Sequence, residues 1–99
     1  MKLYSFFHSS AAYRVRIALN LKGIDTDLVT LNLSAGEQRS AEYLKRNPQG
    51  LVPALELDDG SLITQSTAIL EYLDQCWPTP ALLPEDPLAA SRVRALAAL

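Results

Sequence analysis

The stretch KLYSFFHSSAAYRVRIALNLKG, residues 2–23, decides the fold of this chain. Its first part, residues 2–7, is short and rich in aromatic side chains, which predicts a β-strand. Residues 11–22 contain no glycine or proline and stop at Gly23, the residue type that commonly follows a helix end. Polar side chains fall on more than one side of this predicted helix, so we expect it to be buried on several sides in a layered domain.

Two further elements follow outward from this strand and helix. Residues 26–33 are apolar and β-branched and predict a second strand. Residues 34–47 predict a short polar helix, because Ser34 and Glu37 have the spacing of a capping box and Asn47-Pro48 ends the pattern.

The second half of the chain begins with a predicted β-hairpin, formed by residues 53–57 and 61–64. In the turn between them, Asp59 and Gly60 are expected to supply the positive-φ pair of a tight connection. Residues 65–76 predict an amphipathic helix. Its apolar stripe consists of Ala68, Ile69, Tyr72, Leu73 and Cys76, so Cys76 is expected to be a small core residue.

The last segments indicate a domain boundary. Four prolines between residues 78 and 87 identify residues 77–87 as a linker. Residues 88–99 then start a helix without a stop signal, and a helix of this length is marginal on its own. We therefore expect residues 1–76 to form one domain, and residues 88–99 to begin the first helix of an all-helical C-terminal domain absent from this chain.

The order of these elements, βαβ, then α, then ββα, predicts an α/β fold with a four-stranded mixed sheet between helices. That is the thioredoxin-like arrangement. Its redox members carry a Cys-x-x-Cys motif where the first helix begins, whereas this chain has Ser9, Ser10, Ala11 and Ala12 there. The chain cannot exchange disulfides at that place. Free N–H groups, a helix dipole and hydroxyls can still stabilise a thiolate supplied by a small-molecule thiol.

Composition and charge narrow the class of protein. The 99 residues are 48% hydrophobic and 20% charged, with a net charge of -2, which is typical of one globular domain. Such a charge gives no reason to expect binding to nucleic acid or to a membrane surface. One cysteine cannot form an internal disulfide, and neither a leader pattern nor a membrane-spanning run is found, so a cytoplasmic location is expected. No metal site is expected.

Four segments together match one known family: SSAAYRVRIALNLKG (9–23), NPQGLVPALELDDG (47–60), QSTAILEYL (65–73) and PTPALLPEDP (78–87). Through them the chain resembles the N-terminal domain of zeta-class glutathione transferases, the group that contains maleylacetoacetate isomerase and bacterial maleylpyruvate isomerases. The resemblance implies a glutathione-dependent cis-trans isomerase that converts maleylacetoacetate to fumarylacetoacetate in the catabolism of aromatic amino acids. It also implies glutathione as cofactor, a small unsaturated dicarboxylate as substrate, and a homodimer.

Ser9 matches the family's catalytic serine, and Ser10 lies beside it. A serine hydroxyl is too weak an acid to act as a base, so we expect it to donate a hydrogen bond to the glutathione thiolate. Lowering a thiol pKa from about 8.5 by two units requires roughly 2.7 kcal/mol. A hydrogen bond to a charged group supplies about 1.5–3 kcal/mol, and a helix N-terminus adds about 0.3–1 kcal/mol.

The remaining implied contacts with glutathione involve the backbone and polar side chains. Val52 precedes Pro53, whose peptide bond is cis in this fold, and the Val52 backbone is expected to pair with the cysteinyl part. Gln65 and Ser66 match the residues that hold the γ-glutamyl carboxylate, and Gln38 matches a contact with the glycyl end. Ser9, Ser10, Ala11, Gln38, Val52, Pro53, Gln65 and Ser66 make up the implied cofactor-binding set. Simple helix capping is the alternative explanation for the serine pair and for Gln65-Ser66.

Two positions depart from the family's pattern. Ala11 stands where many relatives have a cysteine, and His8 stands where they often have an arginine. His8 and Arg14 are weaker candidates for contacts with substrate carboxylates, and Arg16 is expected to make a structural ion pair. The alternative functions are a maleylpyruvate isomerase, a general glutathione transferase, and a non-catalytic domain that binds glutathione or a partner.

Overall fold

A computed structural model describes residues 1–6 and 8–98 and contains a four-stranded mixed sheet with helices on both faces. The strands run in the order β2-β1-β3-β4; β1 is parallel to β2 and antiparallel to β3, and β3 is antiparallel to β4. In chain order the elements are β1 (Lys2–Ser5), α1 (Ser10–Lys22), β2 (Asp27–Thr30), α2 (Ala41–Arg46), β3 (Ala54–Glu56), β4 (Leu62–Thr64), α3 (Ser66–Cys76) and α4 (Pro87–Ala97). The predicted thioredoxin-like fold is confirmed. Phe7 and Leu99, which the predicted first strand and last helix include, lie outside the described residues.

The core has one layer on each face of the sheet. Adjacent residues of a strand point to opposite faces, so Leu3 and Tyr4 of β1 belong to different layers. The layer around Leu3 lies against α1 and α3 and contains Val15, Ala18, Leu19, Leu55, Ile69 and Leu73. The layer around Tyr4 lies against α2 and contains Tyr43 and Ala54. The sheet is therefore covered by α1 and α3 on one face and by α2 on the other.

Helix α1 buries one side, not several as the sequence predicts. Its buried residues are Ala12, Val15, Ala18 and Leu19. On the opposite side Tyr13, Ile17 and Leu21 are 56%, 41% and 59% exposed. These three side chains follow the i, i+4, i+8 spacing of one helical face, and no described element covers them.

The predicted helix over residues 34–47 is wrong in its first half. That part folds as two 3-10 turns, Leu33–Ala35 and Glu37–Arg39, separated by Gly36 in the left-handed conformation. Asn32, not Ser34, caps the first turn, and the Glu37 carboxylate accepts the N–H of Asn32 at 3.0 Å. Ser40 then caps the short α2. The acidic side chain thus reaches back to a residue five positions earlier, beyond the capping-box spacing.

The hairpin of β3 and β4 forms as predicted, but its turn uses one positive-φ residue. Gly60 has φ 89°, whereas Asp59 does not have positive φ; its carboxylate accepts the N–H of Ser61 at 2.8 Å. The side-chain bond closes the turn in place of a second left-handed residue.

Cys76 is exposed, so its predicted place in the core is wrong. Ile69 and Leu73 carry the buried part of the α3 stripe. Cys76 lies one turn further, at the last residue of the helix, and the stripe reaches solvent there.

The segment between α3 and α4 is irregular and is anchored by Lys22, whose side chain is fully buried. Its ammonium group donates to Asp74 Oδ1 at 3.0 Å and to the carbonyls of Trp77 and Pro80. Asp74 in turn accepts the N–H of Leu82 at 2.8 Å. Within the part of the chain that the structure describes, no helix has the length and apolar character needed to cross a membrane.

Candidate functional site

The register of the sheet brings three loops to one of its edges. Tyr4 of β1 pairs with Ala54 of β3, and Ala54 pairs with Thr64 of β4. The end of β1, the start of β3 and the end of β4 therefore lie side by side. The Ser9 region, the Val52-Pro53 peptide and the Gln65-Ser66 pair each lie within a few residues of this edge.

Ser9 caps helix α1 and keeps a proton to donate. Its backbone is extended, with φ -80° and ψ 116°, and its Oγ accepts the N–H of Ala12 at 3.1 Å. Because a hydroxyl has one donor and two acceptor positions, this cap leaves the Ser9 proton available for a second partner. The first turn of α1 contains no acidic residue that would compensate the helix dipole. Ser10, the first residue of α1, is exposed.

Helix α3 begins differently from α1, α2 and α4. Each of those three has a side-chain cap, whereas α3 has none. The preceding residue, Gln65, has φ 72° and ψ 123°, the one positive-φ conformation outside glycine among the described residues. Such a conformation costs on the order of 1–3 kcal/mol and is typical of functional sites. Simple capping therefore does not explain Gln65, and the first N–H groups of α3 are open to an anion.

Arg14 places a positive charge beside this helix start. Its Nη2 donates to the buried Ser66 Oγ at 2.7 Å, and its Nη1 donates to the carbonyl of Ala97 at 2.9 Å. Arg14 thus joins α1 to the first turn of α3 and to the last turn of α4. It lies next to a predicted cofactor residue, whereas the sequence predicts a contact with the substrate.

The Val52-Pro53 peptide is cis, as the resemblance implies. In the described part of the chain, no hydrogen bond engages the N–H or the carbonyl of Val52. Backbone N–H and carbonyl groups are nearly always hydrogen-bonded when they are buried. Val52 therefore offers a ligand both a donor and an acceptor just before the start of β3.

A polar cluster that the sequence analysis missed holds the loop before Val52. Buried Asn47 donates to the carbonyl of Leu51 at 2.9 Å, and its Oδ1 accepts the N–H of Gln49 at 3.1 Å. The hydroxyl of Tyr43 also donates to Leu51, at 2.6 Å, and burial raises the pKa of Tyr43, which keeps it a neutral donor. The only sequence signal for this cluster is Asn47-Pro48, which by itself predicts a helix end.

Two glutamines lie around the same loop. Gln38 is half-buried in the second 3-10 turn, and its Oε1 is shielded from solvent without a hydrogen-bond partner among the described residues. Gln49 was not predicted; its Oε1 accepts from Nε2 of Gln65 at 3.4 Å and links the loop to the start of α3.

The other predicted residues lie near the start of α1. His8 is exposed, with its ring edge-on to Phe6 at 5.4 Å between ring centres. Ala11 is half-buried in the first turn. Arg16 does not make the expected ion pair within the described residues, because none of their carboxylates lies within 4 Å of its guanidinium. The same part of the chain has no group of three or more His, Cys, Asp or Glu side chains arranged to hold a metal ion.

Comparisons with known proteins show the family to which this chain belongs. The family described as glutathione S-transferase, N-terminal domain, matches residues 1–75, and the chain belongs to that family. The chain is 54% identical to maleylacetoacetate isomerase of Pseudomonas aeruginosa over 101 aligned positions, which cover 100% of the chain and 48% of that protein. It is 48% identical to maleylpyruvate isomerase of a Ralstonia species, covering 100% of the chain and 46% of the relative.

The chain is also similar to a solved structure. The chain superposes on maleylacetoacetate isomerase from Methylobacterium extorquens AM1, a structure with bound malonate and GSH, with a TM-score of 0.95 and 52% identity. The match covers 98% of this chain and 45% of that one. This chain therefore spans about half the length of the relatives that it matches.

Proposed function

We propose that this chain is the glutathione-binding part of a zeta-class, glutathione-dependent cis-trans isomerase that converts maleylacetoacetate to fumarylacetoacetate. One observation carries the proposal: a capping serine with a spare proton and an uncapped helix start lie at the same edge of the sheet. The first suits a thiolate, and the second suits a carboxylate. The Methylobacterium relative, which is 52% identical, binds GSH.

Glutathione would lie in an extended conformation across this edge. Its γ-glutamyl carboxylate would accept N–H groups at the start of α3, at Gln65 and Ser66, with Arg14 supplying positive charge nearby. The cysteinyl backbone would pair with the unpaired N–H and carbonyl of Val52, in the way that a peptide adds to a strand edge. The unpartnered Oε1 of Gln38 would accept an N–H at the glycyl end.

The chemistry requires a thiolate at neutral pH. The thiolate adds to the conjugated double bond of the substrate, the resulting single bond rotates, and elimination restores the double bond in the trans form and returns glutathione. Ser9 would donate a hydrogen bond to the sulfur, and the α1 dipole would add to it. Glutathione is therefore a cofactor that is not consumed.

The proposal extends to the protein that carries this domain. Residues 1–76 would form the glutathione-binding domain, residues 77–87 the linker, and residues 88–99 the start of a helical domain that selects the small unsaturated dicarboxylate. A homodimer in the cytoplasm, acting in the catabolism of aromatic amino acids, completes the proposal. Maleylpyruvate is the second candidate substrate, because the Ralstonia isomerase is 48% identical.

The role of Ser9 can be tested on the thiol itself. We expect the chain to lower the pKa of bound glutathione from about 8.5 toward 7, measured as the pH dependence of thiolate absorbance. Ser9→Ala should return that pKa toward its free value. Ser40→Ala is the matched control, because Ser40 Oγ caps α2 at 3.2 Å just as Ser9 caps α1 at 3.1 Å. Equal thiol pKa values in all three proteins would refute the role of Ser9.

Turnover can be tested in a longer chain that joins this one to the second half of the Pseudomonas relative. We expect loss of maleylacetoacetate with a catalytic amount of glutathione, and free glutathione at the end. A product that retains glutathione would identify a conjugating transferase. Binding to glutathione without loss of either cis substrate would identify a non-catalytic domain and overturn the isomerase.

A further inference from the structure

A polar pocket opens between α1 and β2, away from Ser9. Its polar lining consists of Arg16, Asn20 and Thr26, its walls include the apolar side chains of Leu19 and Leu28, and its volume is about 240 Å³. Arg16 lies seven residues after Ser9, which places it about 10 Å further along the axis of α1. The pocket is therefore distinct from the proposed glutathione site.

Two polar atoms in this pocket lack a partner. Nε of Arg16 and Oγ1 of Thr26 are both shielded from solvent, and neither makes a hydrogen bond to any described residue. Buried polar atoms are nearly always hydrogen-bonded in native proteins, and an exception calls for a bound water, ion or ligand. The Nε–H of Arg16 can only donate, so its missing partner is an acceptor, and the Thr26 hydroxyl can donate to the same partner.

The positive charge of Arg16 favours a negatively charged acceptor over a neutral one. The guanidinium lies 5.3 Å from the centre of the Tyr13 ring, and no carboxylate of the described chain lies within 4 Å of it. A ring face offsets part of the charge but accepts no hydrogen bond from the buried Nε. A water would satisfy the donors and leave the charge unpaired, whereas one carboxylate satisfies both.

We propose that Arg16, Asn20 and Thr26 form a carboxylate-binding site. The carboxylate would accept from the Arg16 guanidinium and the Thr26 hydroxyl, which must turn into the pocket to reach it, and the Asn20 amide would donate from the rim. The apolar walls accommodate the aliphatic carbon next to the carboxylate. A monoanion matches the single cation of the pocket, whereas a phosphate dianion would need further positive charge.

This carboxylate has two possible sources, a free small molecule or an acidic side chain of a longer protein. The exposed stripe of Tyr13, Ile17 and Leu21 borders the pocket on α1, and a large exposed apolar patch commonly indicates an interaction surface. Arg14 holds the end of α4 beside α1 through Ala97, so residues that follow α4 would emerge next to this face. Both sources share the same chemistry, and the experiment separates them.

The experiment follows the Arg16 Nε–H signal of the isotope-labelled chain by nuclear magnetic resonance during titration with acetate at constant ionic strength. We expect a saturable shift with a millimolar midpoint. The Nε–H signals of Arg39 and Arg92, which are exposed and have no ion pair among the described residues, should not follow that curve. Acetamide, the neutral analogue of similar shape, should shift the Arg16 signal much less than acetate does.

Two variants provide independent readouts. Thr26→Val removes one donor and should weaken acetate binding about fivefold. Arg16→Lys keeps the charge but removes the fixed Nε–H, and should weaken binding tenfold or more, read from the backbone amide of residue 26. Equal shifts with acetate and acetamide, or an Arg16 signal that moves no more than those of Arg39 and Arg92, would overturn the proposal.

The two possible sources of the carboxylate are distinguished in the longer chain that carries the second half of the Pseudomonas relative. If that half supplies the carboxylate, the Arg16 signal is already shifted and acetate no longer moves it. If the ligand is a free small molecule, acetate shifts the signal in the longer chain as well. Either result supports the carboxylate site, and the acetamide comparison decides whether the site exists.

Discussion

The buried ammonium group of Lys22 offers the sharpest test of what holds this domain to its linker. The side chain of Lys22 is 0% exposed and that of its partner Asp74 is 15% exposed. All three ammonium donors are used, on Asp74 Oδ1 at 3.0 Å, on the carbonyl of Pro80 at 2.6 Å and on that of Trp77. Lys22→Met keeps the apolar stem and removes only the charge and the donors.

We expect this substitution to be strongly destabilising. Removing one partner of a buried ion pair costs about 3–5 kcal/mol, because the other charge stays buried and unpaired. Asp74 keeps the N–H of Leu82 at 2.8 Å, so the lower end, about 3 kcal/mol, applies here. At about 4–8 °C per kcal/mol for a domain of this size, the Tm should fall by about 12–24 °C.

The measurement is urea unfolding followed by far-ultraviolet circular dichroism, with unchanged m-values as the check on two-state behaviour. Lys45→Met, at an exposed position of α2, is the control and should change the free energy of unfolding by less than about 0.5 kcal/mol. The double variant Lys22→Met/Asp74→Leu should recover about 1 kcal/mol or more, since it removes the unpaired charge. A loss below about 1 kcal/mol for Lys22→Met would refute the reasoning.

Three other predictions concern stability. Burial, the largest single effect, raises the pKa of Asp74, but hydrogen bonds from a backbone N–H and from Lys22 outweigh it, so the folded pKa lies below 3.8. The stability that the lowered pKa provides is present above the unfolded pKa and is lost as pH falls through the folded pKa. In the Asp74→Asn variant, the midpoint of urea unfolding should therefore change less with pH below about pH 4. Parallel curves would contradict this. Gln65→Gly removes the cost of φ 72° and should stabilise the chain by about 1 kcal/mol in urea; a less stable variant would show that the side chain matters more than the strain. Gly50 and Gly23 both have φ 64°, but a Cβ on Gly50 would lie 3.1 Å from a backbone oxygen, whereas one on Gly23 meets nothing within 4 Å. Gly50→Ala should therefore cost about 1–2 kcal/mol more than Gly23→Ala, and equal losses would show that only φ counts.

Local patterns predicted most elements because their causes are local. Gly23 ends α1 in the left-handed conformation, and Asp59-Gly60 marks the hairpin turn. The predictions for Cys76 and for residues 34–37 were wrong for a different reason. Whether a stripe stays buried at its last turn depends on what packs there. The backbone carbonyl of Asn32 already accepts the Glu37 N–H that a Ser34 cap would need.

The candidate site also combines features that the local sequence predicts with contacts that depend on tertiary packing. The helix start predicted a cap or an anion site at Ser9, and the family resemblance alone implied its catalytic role. In the structure Ser9 Oγ accepts the N–H of Ala12, which leaves the hydroxyl proton for a second partner. The contact of Arg14 with Ser66 joins residues 52 positions apart in the sequence. No spacing rule predicts such a contact, because it depends on how α1 and α3 pack against one sheet.

The sequence by itself determined the order of the elements and the chemistry at the start of α1, since turn residues, periodicity and the absence of cysteine at residues 9–12 act over a few positions. Only the tertiary structure decided which polar groups have partners. The same type of side chain, arginine, donates from both Nη atoms at position 14 and has a buried Nε without a partner among the described residues at position 16. The two residues differ by about 200° around the axis of α1, so they face different neighbours, and those neighbours are fixed only when the helix packs on the sheet.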